Sequence, residues 1–581
     1  MDRRDFLVGA SAALGASAVP HFTWAATLPQ KIIDAHCHIF NADDLPMVKF
    51  IEQSFMRTIK KEYSQALDAI LVELAKRLSD GARDEEKHLD DIKADPHKIR
   101  SEKKIADDER DFLKVLLADW KSKPTKVPGK LTTKIIASYF PVIVLGFIRR
   151  EVSPGNFSGP VDLKIGSALN NFDQAFTFDQ QLDTDYLATQ VYDAPSGLVS
   201  HSIKWALSFT RYRLELAQEL QRVNQGRTVL AAPAIVDFAK WLDAKDPTPL
   251  AKQVGIMERL ARERPSDTPH LHGFVAFDPL RQAIDENLGT PEKEQAFSIA
   301  KKAILEQGFI GIKLYPPMGF RITDNVGAGD DFPCWVRFGS GSPGYDPKCK
   351  NPKNTKDGLG NTPGKVLDDV LLKLMDWCSA NNVPVMAHTN NTNGAGPGYE
   401  TRADPKHWRK VFESFPALHV NMAHFGGFEE AFVDGKLQIA RLDKTWEWTI
   451  GLIAEANKNL PLYADISYLS EVLAGNATAR KAALACMTKF REKFAGSDKL
   501  LMYGSDWSMI GHEPNFTAST KFYPQLVADF LYDAGYKDTA QLENIFFKNA
   551  VRFLGLGVGE GTRKRLEKFH QADAGWMTVF D

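Results

Sequence analysis

Lys31-Ile32-Ile33-Asp34-Ala35-His36-Cys37-His38 reads as a short apolar strand that ends in two histidines. Side chains alternate across a strand, so His36 and His38 share one face while Cys37 takes the other. Seven comparable apolar runs follow downstream, at 229–236, 271–277, 309–315, 383–388, 418–424, 462–466 and 500–503. Each carries Val, Ile, Leu or Phe on both faces, the pattern of a strand buried on both sides. Amphipathic stretches of helical length separate them, at 295–307, 365–380, 405–415, 442–457 and 478–494. Asn381-Asn382, Pro416 and Gly504 mark boundaries. Eight strands joined by crossover helices predict an α/β fold, a closed (β/α)8 TIM barrel in preference to an open sheet.

Residues 43–227 interrupt this rhythm after the first strand. Helical patterns at 47–78, 104–121, 131–148 and 201–223 predict a large helical insertion over the top of the barrel, part of the same domain (residues 27–581). The charge-dense stretch 80–110 reads as a solvated hairpin or loop. A second interruption, 316–364, follows the fourth strand, and loops of that length are lids or disordered segments.

The N-terminus belongs to a different category. Arg3-Arg4-Asp5-Phe6-Leu7 precedes a mildly apolar, Ala/Gly-rich run to Val19. That pattern reads as a twin-arginine export signal over residues 1–26, with a disordered basic N-terminus as the alternative. Small residues at Ala16-Ser17-Ala18 or Ala25-Ala26 offer cleavage points. The expected location is the periplasm, where a disulfide between Cys334 and Cys349 is permitted. Cys37, Cys378 and Cys486 read as buried thiols. No run reaches the roughly 20 continuous apolar residues of a spanning helix, so no integral membrane segment is expected in the mature chain. Residues 135–148 read as a buried helix. A formal charge of −2 gives no reason to expect nucleic acid.

Chemistry gathers at strand ends. His36 and His38 close the first strand, His388 the fifth and His424 the sixth, while Asp506 follows the eighth. Barrel enzymes keep their active sites at the strands' carboxyl ends. Any one of these residues alone reads as a hydrogen-bonded core residue; five around one ring read as a metal site. Imidazole nitrogens with one carboxylate suit zinc best, with manganese, iron or cobalt as alternatives. His270-Leu271-His272 stands at the start of its strand instead, at the barrel's bottom, and reads as structural. Asp278-Pro279 reads as turn chemistry. Lys313, Tyr315, Arg321, Asn390, Asn391, Arg402 and Trp507 are candidates to line the pocket, Asn390 and Asn391 equally as helix caps. Asp465, ending the seventh strand, is a candidate to orient a ligand histidine.

The segments Asp34-Ala35-His36-Cys37-His38, Gly311-Ile312-Lys313-Leu314-Tyr315-Pro316, Val385-Met386-Ala387-His388, Met422-Ala423-His424-Phe425-Gly426-Gly427 and Gly504-Ser505-Asp506-Trp507 resemble the amidohydrolase-related metal-dependent hydrolases. Asn549-Ala550-Val551-Arg552-Phe553-Leu554-Gly555-Leu556 resembles that family's closing helix. The likeness covers 31–40 and roughly 228–556, not the insertion. It is strongest to the branch holding aminocarboxymuconate semialdehyde and resorcylate decarboxylases. The resemblance implies one divalent metal held by His36, His38, His388 and Asp506, with His424 beside the metal's water as acid/base. For Lys313 it leaves three roles: a carbamylated bridge between two metals, a cationic anchor for a substrate carboxylate, or a structural ion pair. The function implied is hydrolysis of a small-molecule ester, lactone or amide by a metal-activated water. Non-oxidative decarboxylation of an aromatic or unsaturated acid is the alternative, and a non-catalytic exported binding protein the minor one. Relatives of this kind are often homodimers.

Overall fold

The computed structural model describes residues 25–55, 72–122 and 205–581, apart from short stretches at 73–74, 83, 246–247, 327–331, 343–354, 393, 434, 474–476 and 514–521. The twin-arginine motif, the 131–148 helix and Cys349 lie outside the described residues. Cys334 is disulfide-bonded, and Cys37, Cys378 and Cys486 are buried thiols outside any disulfide. Among the described residues no helix is long and apolar enough to cross a membrane.

The chain divides into two compact units. The first, residues 1–39, 217–510 and 518–581, contains the strands: β1 (Ile32–Cys37), β2 (Thr228–Pro233), β3 (His270–Leu271), β4 (Phe274–Ala276), β5 (Gly311–Leu314), β6 (Val385–Asn390), β7 (Val420–Gly426), β8 (Leu462–Asp465) and β9 (Leu501–Met502). All eight apolar runs therefore form strands, the third split in two. At the split, a Cβ on Gly273 would lie 2.6 Å from the Pro233 carbonyl oxygen, so only glycine permits that approach. Pairing is parallel in both larger sheets, β1-β2-β3 and β4-β5-β6-β7-β8-β9, while a small separate hairpin pairs Phe432–Val433 with Lys436–Leu437 antiparallel. A parallel bridge, Ala234 with Phe274, continues β2 onto β4. Backbone bonds from Ala35 N–H to Tyr503 O (3.1 Å) and Asp506 N–H to His36 O (2.8 Å) join β1 to the segment around β9. This is a mixed α/β architecture of parallel strands, consistent with a TIM-barrel-like fold.

Helices Leu250–Glu263, Ala296–Glu306, Pro363–Ala380, Trp446–Ala456 and Ala477–Lys493 fall between the strands. Asp278-Pro279 is more than a turn. Asp278 caps helix Pro279–Leu288, accepting from Leu280 N–H at 3.0 Å, with proline in the first turn where its missing N–H costs nothing. The apolar core takes Ile33 and Ala35 from β1, Phe274, Met386, Ala423, Tyr463 and Met502 from later strands, and Phe553, Leu554, Met577 and Phe580 from the C-terminal region. Phe553, fully buried, stands 6.0 Å from Phe274 and 5.7 Å from Tyr463, ring to ring. Emptying such a position costs about 3–5 kcal/mol.

The second unit, residues 40–216 with 511–517, is helical where it is described. Here the charge-dense stretch departs from the loop expected for it. Asp84 caps a helix at Glu85–Ala94, and another runs over Glu102–Ser122. The reason lies far away in sequence. Buried Arg213 pairs with Glu85 and Asp44, and Arg100 holds Glu215 through Nη2 at 2.6 Å and also pairs with Asp108. Charges that look solvated in sequence are neutralised by partners more than 100 residues away.

Candidate metal centre

A register shift between Asp34 and Cys37 marks where β1 stops feeding the apolar core and begins to present the site. Asp34, fully buried, ties the first strand to the last: its Oδ1 accepts from Ser505 N–H at 2.9 Å, and its Oδ2 from Asn224 Nδ2 at 3.3 Å. Gly504 lies in that seam, where an added Cβ would stand 2.9 Å from the Cβ of His36.

Hydrogen bonds fix the ring orientations. His38 Nδ1 donates to Ala234 O at 2.9 Å, which turns its Nε2 to within 3.4 Å of Asp506 Oδ1. His36 Nδ1 meets Asp465 Oδ1 at 3.2 Å, and its Nε2 lies 3.8 Å from Asp506 Oδ1. His388 Nε2 is 3.1 Å from Thr392 Oγ1, and its ring centre is 4.4 Å from that of His424. One ligand atom each from His36, His424 and Asp506 falls within 4.8 Å of the others. His424 thus stands closer to the centre of the cluster than the resemblance implied. It is also the only one of the four histidines that is not fully buried.

Asp465 does what its strand position suggested, and more. It accepts from His36, from Asn421 Nδ2 at 2.7 Å and from the backbone N–H of His424 at 3.0 Å. Burial works against its charge, but His36, then His424 and the hydrogen bond from Ser467, hold it well below the usual carboxylate range. Asp465 therefore orients two histidines as an anion. Both His424 and Asp506 adopt left-handed backbone (φ +69° and +53°), a conformation costly for a side-chain-bearing residue and concentrated at functional sites.

The electrostatics call for a cation. Asp506 Oδ1 is buried without a hydrogen-bond partner, and burial pushes its carboxyl well above the usual range, with Lys313 drawing it only part of the way back. Burial also holds His36, His38, His388 and His424 below the usual imidazole value, keeping their lone pairs available. Neutral imidazoles around one unpartnered carboxylate oxygen fit a divalent ion of the zinc type.

Lys313 is fully inside. Its Nζ lies 3.0 Å from His36 Nε2 and 3.3 Å from Met386 Sδ, and burial lowers its pKa to about 8. Tyr315 stacks toward His388, ring centres 4.5 Å apart. Trp507 is buried, its backbone carbonyl accepting from His38 N–H. Asn390 ends β6, and no helix begins at Asn391. Arg321 donates to Asp324 O from an exposed position, and buried Arg402 lies over Tyr399 and bonds Gly319 O. Sequence reading missed Ser467, whose Oγ bridges His36 Nδ1 (3.0 Å) and His424 Nδ1 (2.9 Å). Its signal was alternation: Tyr463, Asp465 and Ser467 fall two apart.

The turn after His424 is pinned from outside. Gly427 N–H and Phe428 N–H both donate to Glu447 Oε1. Burial, then neighbouring Glu430, raises Glu447 to about 8 from an ordinary 4.5. A carboxyl that stays protonated to about pH 8 when folded binds an extra proton in the folded state, so stability falls as pH rises from 4.5 to about 8. Glu447→Gln cannot ionise and should hold its Tm across that window while the parent's declines. Parallel Tm–pH curves would show that Glu447 does not titrate in this way.

Comparison with known proteins follows the same line. The Amidohydrolase family model matches residues 287–556, which include Lys313, His388, His424 and Asp506. No curated protein sequence matches the chain. Among solved structures, a "putative metal-dependent hydrolase" from Lactobacillus casei ATCC 334 aligns at 12% identity and a TM-score of 0.32, over 91% of this chain and 96% of that one. At that score the likeness carries no weight, and the strand order stands on its own. The family match over residues 287–556 supports placing the chain with the amidohydrolases.

Proposed function

We propose that the chain is a metal-dependent hydrolase, built on a closed (β/α)8 barrel, that cleaves an ester, lactone or amide bond of a small molecule. The observation that carries this is the unpartnered, buried Oδ1 of Asp506 among four neutral histidines. His36, His38, His388 and Asp506 would hold one ion, with zinc the best match to the donor set. A bound divalent ion supplies Lewis acidity, lowering the pKa of adjacent water to about 7. The chain's own residues do the rest. His424, fixed through Nδ1 by Ser467, would take a proton at Nε2 and return it to the leaving group. Asp465 keeps His36 and His424 in register, and Tyr315 and Trp507 wall the pocket. Export by the twin-arginine route, which carries folded proteins with their metals in place, belongs to the same reading.

A second reading is favoured by Lys313. A buried cation 3.0 Å from His36 Nε2 is suited to anchoring the carboxylate of an acid that is then decarboxylated. Metal analysis of chelator-free protein, followed by assays on esters, lactones and aromatic acids, separates these readings. One ion at this centre with ester or lactone cleavage supports the first, and release of carbon dioxide supports the second. Two ions at this centre would make Lys313 a carbamylated bridge and strengthen hydrolysis. Protein without metal that no divalent ion activates would refute both.

A further inference from the structure

The His270-Leu271-His272 pair, structural on sequence grounds, acquires a third histidine in the folded chain. His570 ends the helix Gly561–His570, and its Nε2 lies 2.9 Å from His272 Nε2. One ring nitrogen each from His270, His272 and His570 falls within 4.8 Å of the others. The cluster sits where β3 begins, whereas the candidate metal centre gathers at strand ends. The two groups therefore occupy opposite ends of the parallel strands.

We propose that His270, His272 and His570 form a second divalent-metal site, selective for zinc-like or copper-like ions, which fastens the C-terminal helix to the foot of the strands. His272 donates Nδ1–H to Gly308 O at 2.7 Å, so its Nε2 carries a lone pair aimed into the cluster. His570 answers that lone pair with its own Nε2–H. An ion takes the place of this proton when His570 shifts its hydrogen to Nδ1, and both rings stay neutral. Trp576 stacks on His270 at 3.6 Å and 11°, covering the ring's face while leaving its in-plane lone pair available.

The competitor is Arg264, whose Nη2 lies 2.8 Å from His270 Nε2 and whose Nε lies 3.3 Å from His270 Nδ1. It has other acceptors, the carbonyls of Thr268 (2.6 Å) and Pro265 (3.2 Å), so yielding to an ion removes only its contacts with His270. Tetrahedral zinc at about 2.1 Å sets nitrogens about 3.4 Å apart. The shortest edge must then open by about 0.5 Å and the longest close by no more than about 1.4 Å. A half-exposed histidine at a helix end can make that movement.

The test counts zinc on full-length chain, stripped, reloaded and desalted, for the parent, Asp506→Ala, His570→Gln and Arg264→Met. The parent should hold one ion more than His570→Gln, and Asp506→Ala should keep that ion. Its removal by chelator should lower the Tm of Asp506→Ala, which has lost the strand-end ion, but leave unchanged that of the double variant Asp506→Ala with His570→Gln. Arg264→Met, freed of the competing guanidinium, should bind this ion at least about tenfold more tightly. Equal zinc in the parent and His570→Gln overturns the proposal, as does weaker binding in Arg264→Met. Failure of the catalytic reading shows separately, as Asp506→Ala retaining every ion the parent holds.

Discussion

Asp506→Ala and His36→Ala should each empty the strand-end site of metal and take turnover down with it, by about three orders of magnitude or more. Asp506 is the sole carboxylate whose oxygen points unpartnered into the cluster, and without it the histidines bring no negative charge to offset an ion. His36 carries a different burden. Its Nδ1 is held by Asp465 and Ser467 while its Nε2 faces Asp506, so its loss removes a ligand and strands a buried anion. Leaving such a charge uncompensated costs about 3–5 kcal/mol in its own right. Losing the several kcal/mol of charge stabilisation that a metal supplies accounts for the fall in rate. The measurement is metal per chain beside kcat at saturating substrate. Full occupancy in either variant would show the ligand set to be wrong.

His424→Ala should behave in the opposite way, retaining the ion while turnover falls by about 10²–10⁴, the usual contribution of a positioned acid/base group. Its partial exposure sets it on the side a substrate must approach, and Ser467 fixes its tautomer without supplying a charge. A pH–rate profile that loses one limb in the variant would identify the proton shuttle. Loss of the ion would make His424 a ligand, a role its place within 4.8 Å of His36 and Asp506 also permits.

Those three residues could be found in the sequence because strand ends are a local property. An apolar run followed by His or Asp marks a position on the ring without any knowledge of its neighbours. What stayed hidden depended on distant partners. Ser467 matters only because the loop after β8 reaches the end of β1, 431 residues away in sequence. The stretch from Glu85 looked like a solvated run because Arg213 is 128 residues away. Arg321 was drawn to the pocket by its charge and its nearness to Lys313 in sequence, yet the loop after β5 carries it outward to Asp324. His570 could not have been paired with His272 from spacing at all. Strand splitting at Gly273 was legible in principle, as a glycine inside an apolar run signals a close backbone approach.

The seam between the first strand and the last also sets a schedule for synthesis. Asp34 meets Ser505 across 471 residues, so a ribosome adding about 5–20 residues per second leaves the first strand waiting roughly 25–95 seconds for its neighbour. Until then His36 and His38 stand without Asp506, and no nascent chain shorter than this can close the ring. A leader at the extreme N-terminus would emerge long before anything worth carrying had formed. Under the export route proposed above, the cell must therefore hold the leader back until the chain is nearly complete and the metal has been fitted.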